Sequence, residues 1–200
     1  MKLTIIIPCY NEQNTIKEII NRINSQSEIN KEIIIVDDYS TDKTREILEN
    51  ELKGSVNKII LNNQNYGKGY SIREGIENST GDYILIQDAD LEYDPSDYNK
   101  LLNPVINGVA EVVYGSRFLG GSERRVLYFW HTVGNKFLTL LSNMLSNLNL
   151  TDMEVGYKLF KSSLLKEINL QENRFGFEPE ITAKIAKKDI KIFEVGVKYF

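Results

Sequence analysis

Along the first half of the chain, apolar residues come in short unbroken runs, and several of these runs end abruptly in polar or acidic residues. Residues 3–7 form the first run, closed by Pro8. Residues 31–36, KEIIIV, end in Asp37-Asp38. Residues 56–61 form a third run, and residues 83–86 feed directly into Gln87-Asp88-Ala89-Asp90. A further run covers 111–115. Runs this continuous, without apolar–polar alternation, predict strands covered on both faces. Between them the period changes. From residue 14 onward, Ile16, Ile19, Ile20 and Ile23 make one helical stripe. Ser40-Thr41-Asp42 opens a helix through 45–52, residues 69–77 read as another, and Asp94-Pro95-Ser96-Asp97 opens a fourth. Ser40 and Asp42 are read as helix-capping residues. Strand and helix thus alternate four times, which predicts an α/β fold built on a doubly wound, mostly parallel sheet.

After residue 117 the pattern changes. Residues 122–150 carry Arg124 and Arg125, then a bulky apolar stretch that includes Trp130, and they read as one or two amphipathic helices. A turn from 152 leads into a short strand, YKLF. Helices are expected over 162–168 and 177–187, and a closing strand over 190–199. The basic front and apolar rear of 122–145 fit either an interfacial helix or a helix packed in a lid or dimer surface. His131, the single histidine, is read as structural.

Parallel sheets of this kind bind ligands at the carboxyl ends of their strands. The polar clusters fall there: Tyr10-Asn11-Glu12, Asp37-Asp38 and Asp88-Ala89-Asp90. Composition narrows the rest. With 200 residues the chain suits one domain, 42% of them hydrophobic. A net charge of −4 argues against a general nucleic-acid binder. Cys9 is the only cysteine, so no internal disulfide forms, in keeping with a reducing cytoplasm. The apolar run at the N-terminus is shorter than a signal peptide needs. No run approaches the roughly 20 residues that span a bilayer, so any membrane contact is expected to be peripheral.

Acids this close repel unless a cation sits among them. Asp-x-Asp at a strand end suits a hard divalent ion, with a diphosphate supplying further oxygens. Mg²⁺ or Mn²⁺ fits best, because neither a thiolate nor a histidine cluster accompanies the acids. Alone, the same three residues also describe an acidic surface loop.

IIIPCYNEQNTI, IIIVDDYSTDKT, NYGKGYSIREGI, GDYILIQDADLEYDP and YGSRF occur in that order. Together they resemble the family-two glycosyltransferases of GT-A fold, and most closely the dolichyl- or polyprenyl-phosphate mannosyl- and glucosyltransferases. The resemblance covers essentially residues 3–200. It implies one GT-A domain, Rossmann-like, with helices on both faces. Residues 1–117 would be its nucleotide-sugar-binding half, and 118–200 an acceptor-side half with a helical segment. It implies that Pro8, Tyr10 and Glu12 line the nucleoside pocket, that Val36 and Asp38 contact base or ribose, and that Asp88 and Ala89 lie by ribose and diphosphate. Asp90 would be the principal metal ligand and Glu92 a second, where relatives carry glutamine. Lys68, between two glycines, is read either as a contact to donor phosphate or sugar or as a solvated loop residue. Arg117 would bind phosphate through its planar fork.

On the acceptor side NLTDMEVGYKLF and FGFEPEITAKIAKK carry the resemblance. It places Asp152 near the transferred sugar, as a general base, as an orienting group, or as a turn cap. Glu154 is the rival acid. Glu178 and Glu180 would stabilise the C-terminal segment or border the acceptor cleft. Relatives continue past the residue matching Phe200 with a basic segment, so the chain is read as cut there or naturally short.

The implied activity is an inverting, metal-dependent transfer of mannose or glucose from GDP-mannose or UDP-glucose to a polyprenyl phosphate, in the cytoplasm or at the cytoplasmic membrane face. Two alternatives stay open: a same-fold transferase acting on a glycan or protein, and a non-catalytic nucleotide-sugar-binding module. A nucleotidyltransferase is disfavoured, because Pro8-Cys9-Tyr10-Asn11-Glu12 stands where its glycine-rich loop would follow the first strand.

Overall fold

The computed structural model describes residues 1–120 and 125–200. Ser122 and Arg124 of the basic stretch noted above lie outside the described residues. Among the described residues one mixed sheet runs β3-β2-β1-β4-β6-β5-β7. Its strands are β1 (Leu3–Cys9), β2 (Lys31–Asp37), β3 (Lys58–Leu61), β4 (Tyr83–Ile86), β5 (Val112–Ser116), β6 (Lys158–Lys161) and β7 (Ile192–Gly196). The helices are α1 (Ile16–Asn24), α2 (Thr44–Ile47), α3 (Lys68–Asn78), α4 (Tyr98–Ile106), α5 (Phe129–Ser146), α6 (Ser162–Lys166) and α7 (Phe177–Ile185). A π-helical turn over Leu48–Leu52 prolongs α2.

The unbroken apolar runs become the centre of the sheet. β1 pairs in parallel with both β2 and β4, and β2 with β3. Ile5, Ile6, Ile7, Ile35, Val36, Ile84 and Leu85 are fully buried, as strands covered on both faces require. The isoleucine stripe of α1 is buried as its spacing predicts.

One expectation is corrected. Pro8 does not close its strand, since β1 continues to Cys9 in register with Asp37. The Ile6 carbonyl accepts from Gln87 N, on the β4 side. Two residues on, Pro8 faces that same side, but β4 pairing has ended at Ile86, so its missing N–H leaves no ladder bond unmade. The sheet is mostly parallel, as expected, with β6 alone entering between β4 and β5 antiparallel to both. It follows the long excursion through α5 and arrives from the opposite end.

Glu32 ties the near edge of this layer together. Its carboxylate accepts from Thr4 Oγ1 (2.6 Å), Thr80 N (2.8 Å), Thr80 Oγ1 (2.7 Å) and Lys2 Nζ (3.0 Å). Burial alone would raise its pKa, but these donors more than offset that and bring it from 4.5 to about 2. The unfolded chain therefore binds more protons than the folded one across that interval. The stability Glu32 contributes is complete above about pH 4.5 and is lost as pH falls toward 2. Glu32→Gln is expected to cost about 3 kcal/mol at pH 7. Denaturant unfolding should show the gap to the parent protein closing as pH drops through that window.

Candidate active site

Three strands end at one cleft of about 520 Å³. Its wall includes Pro8 and Cys9 at the end of β1, Tyr10 and Glu12 just after it, Asp38 after β2, and Asp88, Ala89 and Asp90 after β4. The backbone turns sharply at each of these ends. Asn11, Tyr39 and Leu91 adopt left-handed φ of 58°, 66° and 65°. That conformation is costly for a residue as bulky as leucine, and such strain gathers where a site over-determines the chain.

Asp38 is pinned. Its carboxylate accepts from Asn62 Nδ2 (2.9 Å), Tyr66 N (2.9 Å) and Gly67 N (2.6 Å). It therefore fixes the loop that delivers Lys68 to the cleft. Gly67 has φ +105°, and a side chain there would meet Asn173 and Arg174. Lys68 opens α3 with its ammonium 2.8 Å from Asp88 Oδ1 and 3.2 Å from Glu178 Oε1. The ammonium is buried, which lowers its pKa, but the two carboxylates more than reverse this and raise it. Lys68 is therefore permanently charged. Gly156 lies flat against this pair, since a Cβ there would run into the Asp88 carboxylate and the Tyr93 ring.

Asp90 has no ion-pair partner among the described residues. Among the described residues its carboxylate accepts only from Glu92 N (3.1 Å). Burial, then the charges of Asp88, Glu92 and Glu12, push its pKa up to about 6. Cys9 is no rival ligand: burial and three nearby acids keep its thiol protonated. Among the described residues, no three acid, histidine or cysteine side chains cluster tightly enough to hold an ion alone. The donor set is carboxylate oxygen with uncompensated negative charge at Asp90. It fits a hard cation that takes most of its ligands from water and a phosphate group.

Not every expected residue reaches the cleft. Val36 is fully buried in sheet packing. Glu92 is half-buried and turns toward the chain end: its carbonyl accepts from Phe200 N (3.1 Å), and its carboxylate helps burial raise the Tyr199 phenol to about 12. Arg117 and Asp152 face each other. Arg117 Nε and Nη2 donate to Asp152 Oδ2 and Oδ1 at 2.7 and 2.8 Å, and Arg117 N donates to Oδ2 at 3.0 Å. Asp152 is 0% exposed and Arg117 6%, with the guanidinium over the Tyr199 ring. Glu154 is half-buried, and its carboxyl is pushed up by burial and by Glu178. Asp42 accepts from Thr44 N at the start of α2 and also from Gln13 N, whereas Ser40 caps no helix and instead accepts from Asn11 N in the loop after β1.

The cleft also takes in Asn65, Ser71 and Phe175, which stand in the quoted motifs without a role assigned to them, and Arg174, which precedes the last motif. Arg174 and Phe175 reach it from a segment about a hundred residues beyond α3, where local pattern gives no signal.

A family model described as glycosyl transferase family 2 matches residues 4–168. The chain belongs to glycosyl transferase family 2. It is 28% identical to a dolichol-phosphate mannosyltransferase of Pyrococcus furiosus, over 98% of this chain and 55% of that protein. It is 32% identical to a UDP-N-acetylglucosamine–dolichyl-phosphate N-acetylglucosaminyltransferase of Methanococcus voltae, over 97% of this chain and 84% of that one. Thus it spans little more than half the length of the Pyrococcus relative. Glucosyl-3-phosphoglycerate synthase of Mycobacterium tuberculosis, solved with Mn²⁺, UDP and glucosyl-3-phosphoglycerate, superposes with TM-score 0.76 at 19% identity, over 99% of this chain and 70% of that one. The mixed seven-stranded sheet is thereby a GT-A fold.

In this family member the buried Arg117–Asp152 pair has a testable energetic consequence. Removing one partner strands the other charge, so Asp152→Leu or Arg117→Met alone is expected to cost about 3–5 kcal/mol. The double change Arg117→Met/Asp152→Leu should cost clearly less than the sum of the two single changes. Chemical denaturation of the four proteins measures the coupling.

Proposed function

We propose that this protein transfers a hexose from a nucleoside-diphosphate sugar to a polyprenyl phosphate, with inversion and with a divalent cation. The observation that carries the reading is the convergence of Tyr10, Glu12, Lys68, Asp88 and Asp90 on one cleft at the strand ends of a family-two chain. Relatives bearing dolichyl-phosphate transferase names support the acceptor class.

On this reading Asp90 is the residue that holds Mg²⁺ or Mn²⁺, with Glu92 adjacent. The bound ion would neutralise charge on the departing diphosphate. Pro8, Tyr10 and Glu12 form the wall against which the nucleoside rests. Asp38 acts through the loop it pins. Lys68 holds Asp88 in place beside the sugar diphosphate, while Ala89 keeps the turn narrow. Arg117 and Asp152 shape the acceptor side as a locked pair. A phosphate acceptor is already ionised at neutral pH, so the attacking oxygen needs no strong base.

The reading includes a membrane surface as partner. α5 is inverted. Its inward residues are polar, with Asn135 and Thr139 buried, whereas Trp130 is 79%, Phe137 58% and Leu145 90% exposed. The helix carries no acid and one lysine, Lys136. Tyr128 and Trp130 give it an interfacial end. Among the described residues no helix is long and apolar enough to cross a membrane. We place this face on the cytoplasmic leaflet, against anionic headgroups, where a polyprenyl phosphate would be presented.

A panel of nucleotide sugars, assayed with Mn²⁺ or Mg²⁺ and a short polyprenyl phosphate, tests the central reading. Transfer from one donor is expected, and no turnover or donor hydrolysis with any of them would overturn it. Asp90→Ala is expected to abolish the Mn²⁺-dependent part of nucleotide binding by calorimetry, and an unchanged affinity would remove Asp90 from the ligand set. For the membrane partner, Trp130→Ser/Phe137→Ser should lower co-sedimentation with phosphatidylglycerol vesicles about tenfold or more. Equal sedimentation of the two proteins would show that α5 is covered by something else.

A further inference from the structure

The cleft holds a cationic group that the reading above leaves without a task. Four acids line the wall, Glu12, Asp38, Asp88 and Asp90, against two cations, Lys68 and Arg174. Lys68 is fully committed to Asp88 and Glu178. Arg117 is locked to Asp152 outside the cleft. The guanidinium of Arg174 has no hydrogen bond or ion pair to any described residue, and the residue is exposed at the mouth.

Its placement is built rather than incidental. Residues 171–174 are tied down from two sides. On one side, Tyr70 N donates to the Asn173 carbonyl at 3.0 Å, and Arg73 donates to the Glu172 carbonyl and to Asn173 Oδ1. On the other, the Glu180 carboxylate accepts from Gln171 N (2.8 Å) and Glu172 N (2.9 Å), and Lys184 Nζ holds Glu180 at 2.6 Å. The backbone lies so close to the start of α3 that a Cβ at Gly67 or Gly69 would strike it. These ties bring Arg174 and Phe175 into the wall of the cleft, with Arg174 against Gly67 at the start of α3. Phe175 is 80% exposed there, a cost that a covering ligand would relieve.

We propose that Arg174 is the residue that binds the phosphoryl oxygens of the nucleoside diphosphate in this cleft. A guanidinium presents paired donors that match paired phosphate oxygens. This one is free to do so, whereas the lysine next to it is not. Phe175 closes over the ligand from the same segment. The proposal rests on the nucleotide-sugar reading, and it names the phosphate-binding cation that reading lacks.

Calorimetric titration of the full chain with UDP, GDP, uridine and guanosine, in MnCl₂, tests it. Arg174→Gln is expected to weaken the preferred nucleoside diphosphate about tenfold or more, as loss of a charge-assisted bidentate contact does. Nucleoside affinity and melting temperature should not change, and Arg174→Lys should retain part of the diphosphate affinity. An unchanged diphosphate affinity in Arg174→Gln would overturn the assignment while leaving the wider reading intact. So would an equal loss for nucleoside and diphosphate. A parallel titration with farnesyl phosphate, without nucleotide, separates the other phosphate source: a loss confined to that arm would place Arg174 on the acceptor and overturn its donor role. Wild-type protein that binds neither UDP nor GDP would overturn both this assignment and the nucleotide-sugar reading.

Discussion

A single ammonium group joins the ends of three elements at the cleft. Lys68 opens α3, Asp88 follows β4, and Glu178 lies in the first turn of α7. Each carboxylate would be costly this far from bulk water without a partner. One buried cation serves both, so moving any of the three elements exposes a charge imbalance in the other two. Asp38 sets where that cation stands, because its three donors come from the loop that leads into Lys68. Gly156 sets how closely the β6 side can approach Asp88. Behind them Lys158 is wholly buried over the Tyr114 ring, its amine donating to the Val155 carbonyl, and burial pulls its pKa down to about 8.

The inverted helix obeys the same accounting of polar groups. α5 turns Asn135, Thr139 and Asn143 toward the domain because backbone and carboxylate groups there need partners. Asn143 donates to the Leu150 carbonyl and accepts from Leu150 N. Thr139 accepts from Met153 N, and Asn135 donates to Asp152. The helix thus braces the stretch that holds Asp152 against Arg117. Its leucines and aromatics are left to face outward, contrary to the usual direction of an amphipathic helix on a soluble domain. A contiguous apolar face of this kind marks an interaction surface, and the helix bracing the Asp152 stretch is the same helix that offers it.

The centre of the sheet was legible because its strands are long apolar runs whose burial follows from composition alone. The acids at the strand ends were legible because strand ends and polar clusters coincide along the chain. What escaped depends on contacts that have no local signature. The reversed direction of β6 follows from the path of α5, not from YKLF itself. Periodicity identified α5 as apolar on one side but could not say which side packs, since small polar residues suit a buried network as well as a solvated face. Arg117 and Asp152 stood out by type, yet their pairing across 35 residues makes them partners of each other. Arg174 was invisible for the converse reason: nothing around it in sequence shows that its segment will lie over α3.

Taken together, the charges say where a ligand must compensate the site. Asp38 is satisfied by three donors and Asp88 by Lys68, while Glu12 is bonded to Thr15 within its own turn. Asp90 is left with one backbone donor and several negative neighbours, and its raised pKa records that imbalance. A cation bound there would be held by too few protein oxygens to stay without an anionic ligand. A diphosphate placed there alone would meet Asp88 and Asp90 head on. Cation and diphosphate each remove the obstacle to the other, so under the proposed reading they should bind with strong positive coupling. The protein then needs a positive group of its own for the phosphate oxygens that the cation does not reach, and among the lining cations Arg174, unlike Lys68, has no carboxylate partner among the described residues.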